Sequence, residues 1–219
     1  ASTRKESSAA SDVYKRQHYA NAATDIEFKM PFGFKEVEGV HSRTNFDLSQ
    51  HEKFSGKSIK YFDPETNESY VPYVIETSIG VDRMFLSVMC HSYQEEELEG
   101  GDKRIVLRLP AALAPVKCAV MPLVRKEGLP EKAREIVNLL KFHFNTSYDE
   151  KDSIGKRYRR QDAVGTPYCV TVDFDTLKDN KVTLRHRDTM QQERIDISEL
   201  CAHIEDKVSI VSLLKKLQA

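Results

Sequence analysis

The chain has 219 residues, 40% of them hydrophobic and 31% charged, with a formal net charge of -1. That composition supports a packed core, excludes global disorder, and leaves room for one large domain or two small ones. The near-neutral balance excludes a uniformly basic nucleic-acid binder, so any such surface must be a local patch.

Residues 1–17 are small, polar and unpatterned, which predicts a disordered stretch. Within it, Ser7-Ser8-Ala9-Ala10-Ser11-Asp12-Val13-Tyr14-Lys15-Arg16-Gln17 coincides with the translation of a transposase-type sequencing adapter. It is set apart from fold reasoning as a foreign segment; a natural tail is the other reading. From His18 a first block runs to residue 108. Asp25–Met30 alternates as a strand, Pro31–Phe34 turns, and Lys35–Val40 alternates again. Asp47–Phe54 reads as a short helix. Tyr70–Glu76 reads as a strand, and Val81–Ser92 has helical apolar spacing at Met84, Phe85, Val88 and Met89. Gln94–Gly101 is acidic and glycine-ended, and is expected to be a solvated connector.

A second block covers 109–219. Its opening prolines, Pro110 and Pro115, mark a linker. Val116–Leu123 is an apolar strand, and Leu129–Phe142 an amphipathic helix with Pro130 in its first turn. Phe144–Tyr148 follows as a strand, and Ser153–Asp162 as a basic helix ending near Gly165. Strands are expected at Tyr168–Phe174, Lys181–Arg187 and Arg194–Ile197, then a terminal helix capped by Ser198. Strands alternating with helices predict an α/β layer structure with a partly parallel sheet.

Chemistry-bearing groups gather at one junction. Glu76 and Ser78 lie two apart on a strand and share a face, where a carboxylate and a hydroxyl suit an ammonium group. A satisfied polar pair at a strand end fits equally well. Gly80 permits a sharp turn and close approach to a ligand, and Arg83 follows one helical turn later with phosphate-binding chemistry. Glu36 and Glu38 form a second pair suited to magnesium or an amine, though a solvated strand face explains them as simply. Lys156-Arg157-Tyr158-Arg159-Arg160 offers cations and an aromatic to an RNA backbone and base, with Arg185, His186 and Arg187 nearby. His41, His51, His91, His143 and His203 show no metal spacing and read as structural. The four cysteines, Cys90, Cys118, Cys169 and Cys201, form no C-x-x-C pair. They are expected to be reduced, buried thiols of a cytosolic protein, and zinc is not expected.

The chain from His18 onward, about nine tenths of it, resembles the carboxy-terminal part of dimeric-type glycyl-tRNA synthetases, which are class II enzymes. The resemblance rests on Asp25–Phe28, Pro31–Gly39, Arg43–Leu48, Glu76–Arg83, Ala114–Lys117, Ser153–Asp162 and Gly165–Pro167. It implies an α/β (α+β) fold. A remnant of the antiparallel catalytic sheet would occupy 18–108, and an anticodon-binding domain with a mixed five-stranded sheet flanked by helices would occupy 109–219. It also implies an ATP-binding set of Glu36, Val37, Gly80, Val81, Asp82 and Arg83, with Arg83 catalytic. Glu76, Thr77, Ser78, Ile79 and Gly80 would bind glycine. Lys156, Arg157, Arg159, Arg160, Arg185 and Arg187 are the candidates for the tRNA anticodon stem-loop. ATP as substrate with magnesium, no zinc, a homodimeric parent and a cytoplasmic setting complete the expectation. The family's first two class II motifs are not present, so this stretch alone is not expected to form the adenylate. A non-catalytic RNA-binding module is the alternative.

Overall fold

A computed structural model describes residues 8–12, 20–98 and 100–218, which divide into two compact units, Ala1–Cys90 and His91–Ala219. The division falls before the boundary expected at residue 109. Residues 103–107 belong to the second unit because they pack against its basic helix and carry Arg104 into a buried ion pair there.

In the first unit, β1 (Ser8–Asp12), β2 (Ala22–Met30), β3 (Gly33–Ser42) and β6 (Ile75–Ile79) form one antiparallel sheet in the order β1-β2-β3-β6. Between β3 and β6 come α1 (Phe46–Ser55) and a small hairpin of β4 (Tyr61–Asp63) and β5 (Glu68–Tyr70). Helix α2 (Val81–Ser92) leaves β6 through Gly80. The strand expected over Tyr70–Glu76 is thus two strands, broken near Pro72, which lacks the N–H a ladder needs. Strand β1 corrects the expectation of disorder across 1–17, for Ser8–Asp12 pairs in register along β2. An unpaired strand edge offers a row of free N–H and C=O groups, and a short polar segment satisfies them without needing a side-chain pattern. The rest of that expectation, at 1–7 and 13–17, lies outside the described residues. Among the described residues of this unit, the buried apolar side chains are Met30 and Val37, while Ile75, Ile79, Val81 and Phe85 are exposed.

The second unit opens with β7 (Tyr93–Glu97) paired to β8 (Lys103–Leu107). The acidic stretch expected as a solvated connector is therefore a hairpin strand. Its Glu96 takes ion pairs from Arg104 and Arg108, which offset the repulsion within the Glu95-Glu96-Glu97 run. Next come β9 (Cys118–Pro122), α3 (Leu129–Leu140), β10 (Thr146–Tyr148) and α4 (Ile154–Val164). They are followed by β11 (Tyr168–Val172), α5 (Thr176–Asp179), β12 (Lys181–His186), β13 (Gln192–Asp196), α6 (Ile197–Val208) and α7 (Ile210–Leu217). The sheet order is β10-β9-β11-β12-β13, parallel across β10, β9 and β11 and antiparallel beyond. This is the mixed five-stranded sheet expected. Strands β9 and β11 are buried along their whole length, as central parallel strands covered on both faces must be. Leu129, Ala133, Ile136 and Leu140 of α3 pack with Leu200, Ile204 and Val208 of α6 over one side. Ile154 and Tyr158 of α4 meet Ala119, Met121 and Cys169 on the other. The helix expected to close the chain is two, α6 and α7, and α6 is capped by Asp196, whose carboxylate accepts from the Ser198 N–H, and not by Ser198 as expected.

Ionic strapping gives this unit a definite acid response. Burial pushes the Asp188 carboxyl up, but hydrogen bonds from Arg187 and the charges of Arg187, Arg108 and Arg104 hold it below its ordinary 3.8. Asp173 is likewise raised by burial and brought net lower by Thr176 and Arg194. A carboxyl with a depressed folded pKa stabilises the fold above its unfolded value and loses that contribution as pH falls through the folded one. Thermal midpoints followed by circular dichroism should therefore be level near neutrality and drop below about pH 4. A midpoint constant down to pH 3 would mean these pairs contribute nothing.

Candidate functional site

The junction of β3, β6 and α2 collects the first set of predicted residues. Glu76 of β6 lies opposite His41 of β3, and Ser78 opposite Gly39, so all four face one side of the sheet. A Cβ added to Gly39 would stand 2.9 Å from the His41 ring and 3.5 Å from the Glu36 carboxylate. A side chain at position 39 would therefore collide with the His41 ring unless the ring moved. Val37 is the extra residue of a β-bulge, since Glu36 pairs with Glu27 and Glu38 with Ile26. Bulges bend a strand and re-aim its neighbours.

Past β6, the Gly80 N–H donates to the Val37 carbonyl at 3.3 Å, and the Gly80 carbonyl accepts from Met84 at 2.8 Å, opening α2. Gly80 does not adopt a left-handed conformation, and a Cβ there would make ordinary contact with Arg83 at 3.6 Å. The sharp turn expected of it is thus not what this glycine supplies. Arg83 reaches back to β3. Its Nη1 donates to the Glu36 carbonyl at 2.9 Å and lies 3.9 Å from the Glu36 carboxylate. With 59% of its side chain exposed, its other N–H donors face solvent. Glu36, Val37, Gly80 and Arg83 are thereby brought together, and Val81 and Asp82 stand exposed beside them on the first turn of α2. Thr77 and Ile79 occupy the alternate positions of β6, off the Glu76–Ser78 face.

Sequence reasoning missed Arg43 as part of this site. Its Nη1 donates to Glu76 Oε2 at 2.5 Å, and its Nε donates to Asp47 Oδ2 at 2.5 Å. These two hydrogen bonds, Asp47 before Glu76, raise Arg43 further above its already high range, and the same contact holds Asp47 below its ordinary value. Arg43 thus fixes the orientation of Glu76. The signal available in the sequence was the Arg43/Asp47 spacing across the start of α1.

The second set divides by burial. Lys156 is exposed and Arg159 half-buried on α4. Arg160 is exposed but bonded to Asp149 and Asp152. Arg157, Arg185 and Arg187 are corrected from surface candidates to interior residues, at 2%, 5% and 3% exposure. Arg157 donates to the Pro122, Leu123 and Asp149 carbonyls. Arg185 grips Asp162 with two bonds of 2.8 and 3.0 Å. Arg187 donates to the Gly165 and Leu109 carbonyls, both at 2.8 Å. Tyr158, offered as a base-stacking ring, instead lies under the Arg185 guanidinium at 4.7 Å and bonds Thr171. A buried guanidinium is costly without a counter-charge, and Asp162 supplies one for Arg185 and Arg104 alike.

Comparison with known proteins places the chain among its relatives. The Anticodon binding domain family matches residues 117–207, the five-stranded sheet and most of its helices. The chain is similar to the Giardia lamblia prolyl-tRNA synthetase in complex with prolyl-adenylate, with a TM-score of 0.62 at 19% identity. That likeness covers 93% of this chain and 44% of the other. The fold is therefore that of a tRNA synthetase chain. The glycine–tRNA ligase of Borrelia hermsii (strain HS1 / DAH) is 55% identical over 193 residues, 87% of this chain and 43% of its own. That of Clostridium tetani (strain Massachusetts / E88) is 54% identical over 190 residues, 87% of this chain and 41% of its own. The chain is thus similar to glycine–tRNA ligases over most of its own length and spans less than half of theirs.

Proposed function

We propose that the chain serves as the carboxy-terminal part of a glycine–tRNA ligase, which activates glycine with ATP as glycyl-adenylate and transfers it to its tRNA. The observation that carries this reading is the 55% identity over 193 residues. That span is too long for the anticodon-binding domain at 117–207 alone and argues against a free-standing RNA module.

In this reading residues 18–108 complete a catalytic core. Arg83 faces the nucleotide, with Glu36, Val37, Gly80, Val81 and Asp82 beside it. Glu76 meets the glycine ammonium while Arg43 holds its carboxylate in place. The glycine at position 39 and the small Ser78 opposite it line that face without bulky side chains, which suits a small amino acid. Glu36, exposed beside Arg83, and Glu38, two residues on, suit a magnesium ion that takes its remaining ligands from water and phosphates. Bound there, the ion would offset charge on the triphosphate. Lys156 and Arg159 remain as the α4 cations for tRNA phosphates. The parent works as a homodimer in the cytoplasm. Among the described residues, no helix is long and apolar enough to cross a membrane.

The test uses the 219-residue chain. It should bind a glycine tRNA anticodon stem-loop with an affinity that falls steeply with salt. It should not support glycine-dependent ATP–pyrophosphate exchange. No salt-sensitive binding would overturn the RNA assignment, and exchange by this chain would overturn its standing as part of a larger site.

A further inference from the structure

Three donor atoms of three different kinds converge on the second unit, away from every residue assigned above. His143 lies in the turn after α3, and Cys201 and Glu205 lie one helical turn apart on α6. Their side-chain nitrogen, sulfur and oxygen all stand within 4.8 Å of one another. His143 Nδ1 and Glu205 Oε2 are already 3.4 Å apart. The scaffold beneath is rigid. Leu140 closes α3 and accepts the His143 N–H at 3.0 Å, and Leu140, Leu200 and Ile204 are wholly buried in one core. Sequence spacing could not reveal the set, because four strands and two helices separate His143 from α6, which carries its partners.

We propose that His143, Cys201 and Glu205 form a binding site for a thiophilic divalent cation of the zinc type. Imidazole, thiolate and carboxylate together favour zinc over magnesium or calcium, which take oxygen ligands. Tetrahedral zinc bonds of about 2.0–2.3 Å place ligand atoms roughly 3.3–3.8 Å apart. The observed spread therefore needs side-chain rotation of about 1 Å and no backbone change. Three protein ligands leave a fourth position for water or an exchangeable group. The cation must displace a proton from the Cys201 sulfur as it binds. The site would tie the end of α3 to α6, and it is independent of the proposed ligase chemistry.

Cobalt titration of the reduced 219-residue chain tests this, because cobalt reports its own ligands. The expected result is a near-ultraviolet thiolate charge-transfer band with the strong visible bands of a four-coordinate ion, displaced by zinc. Cys201→Ser should lose the near-ultraviolet band, and His143→Ala and Glu205→Gln should each weaken binding at least about tenfold. Cys90→Ser should leave the spectrum unchanged. Circular dichroism of each variant establishes that it is folded. Weak six-coordinate spectra without the thiolate band, or a band that survives Cys201→Ser in folded protein, would overturn the proposal.

Discussion

Asp162→Ala is expected to destabilise the second unit by about 3–5 kcal/mol, the range for removing one partner of a buried ion pair. Asp162 is fully buried, and its two oxygens receive Arg185 in fork geometry and the Arg104 Nε at 2.9 Å. Arg104 also donates to Glu96 and to the Arg187 carbonyl, so a single carboxylate anchors the β8 strand, β12 and α4 together. Removing it leaves two guanidinium groups inside the protein without their shared counter-charge. The loss should exceed that of any surface pair in the unit, which is worth about 1 kcal/mol or less. Urea denaturation followed by circular dichroism reads the effect. A midpoint within error of the unaltered chain would show that solvent reaches the cluster and that its burial is not the source of its strength. A compensated variant sharpens the test. Arg104→Met with Asp162→Leu and Arg185→Met should recover much of the loss, since a buried ion cluster breaks even with apolar packing of similar volume.

Arg83→Ala in the full-length ligase is expected to reduce glycine-dependent ATP–pyrophosphate exchange by about 10²–10³-fold, the cost typical of losing one preorganised charge at a site of charge development. The geometry gives the reason. One guanidinium nitrogen is held by the Glu36 carbonyl, which aims the group, and most of the side chain is exposed to solvent. In the proposed reading the arginine is oriented before substrate arrives, so little reorganisation is needed during reaction. Arg83→Lys should recover only part of the activity, because an ammonium keeps the charge and loses the planar fork. Exchange within twofold of the unaltered enzyme in Arg83→Ala would remove Arg83 from the site. The Arg83 side chain is largely exposed, so no change in stability should accompany the loss, which separates this result from that at Asp162.

Much of the architecture was readable from local pattern. The alternating segments after His18, the glycine-ended helix at 154–164 and the central apolar strands each carry a period or a stop signal that neighbours alone enforce. The Gln94–Gly101 stretch was misread because four like charges in a short run look solvated until Arg104 and Arg108 arrive across the hairpin. The α4 arginines were misread for a related reason. Lys156, Arg157, Arg159 and Arg160 are alike in sequence, yet helical rotation turns Arg157 inward onto three carbonyls and leaves Lys156 in solvent.

The sequence by itself determined most strands and helices of the second block, a partly parallel sheet there, and the placing of Glu76, Ser78 and Arg83 along one strand-to-helix junction. These follow from residue types a few positions apart, whose geometry the backbone period dictates. Tertiary structure alone decided that Arg43 holds Glu76, that Arg157, Arg185 and Arg187 are internal supports, and that His143 meets Cys201 and Glu205. Each of these depends on burial or on a partner distant in the chain, and a charge's role changes with the solvent around it while its letter in the sequence does not.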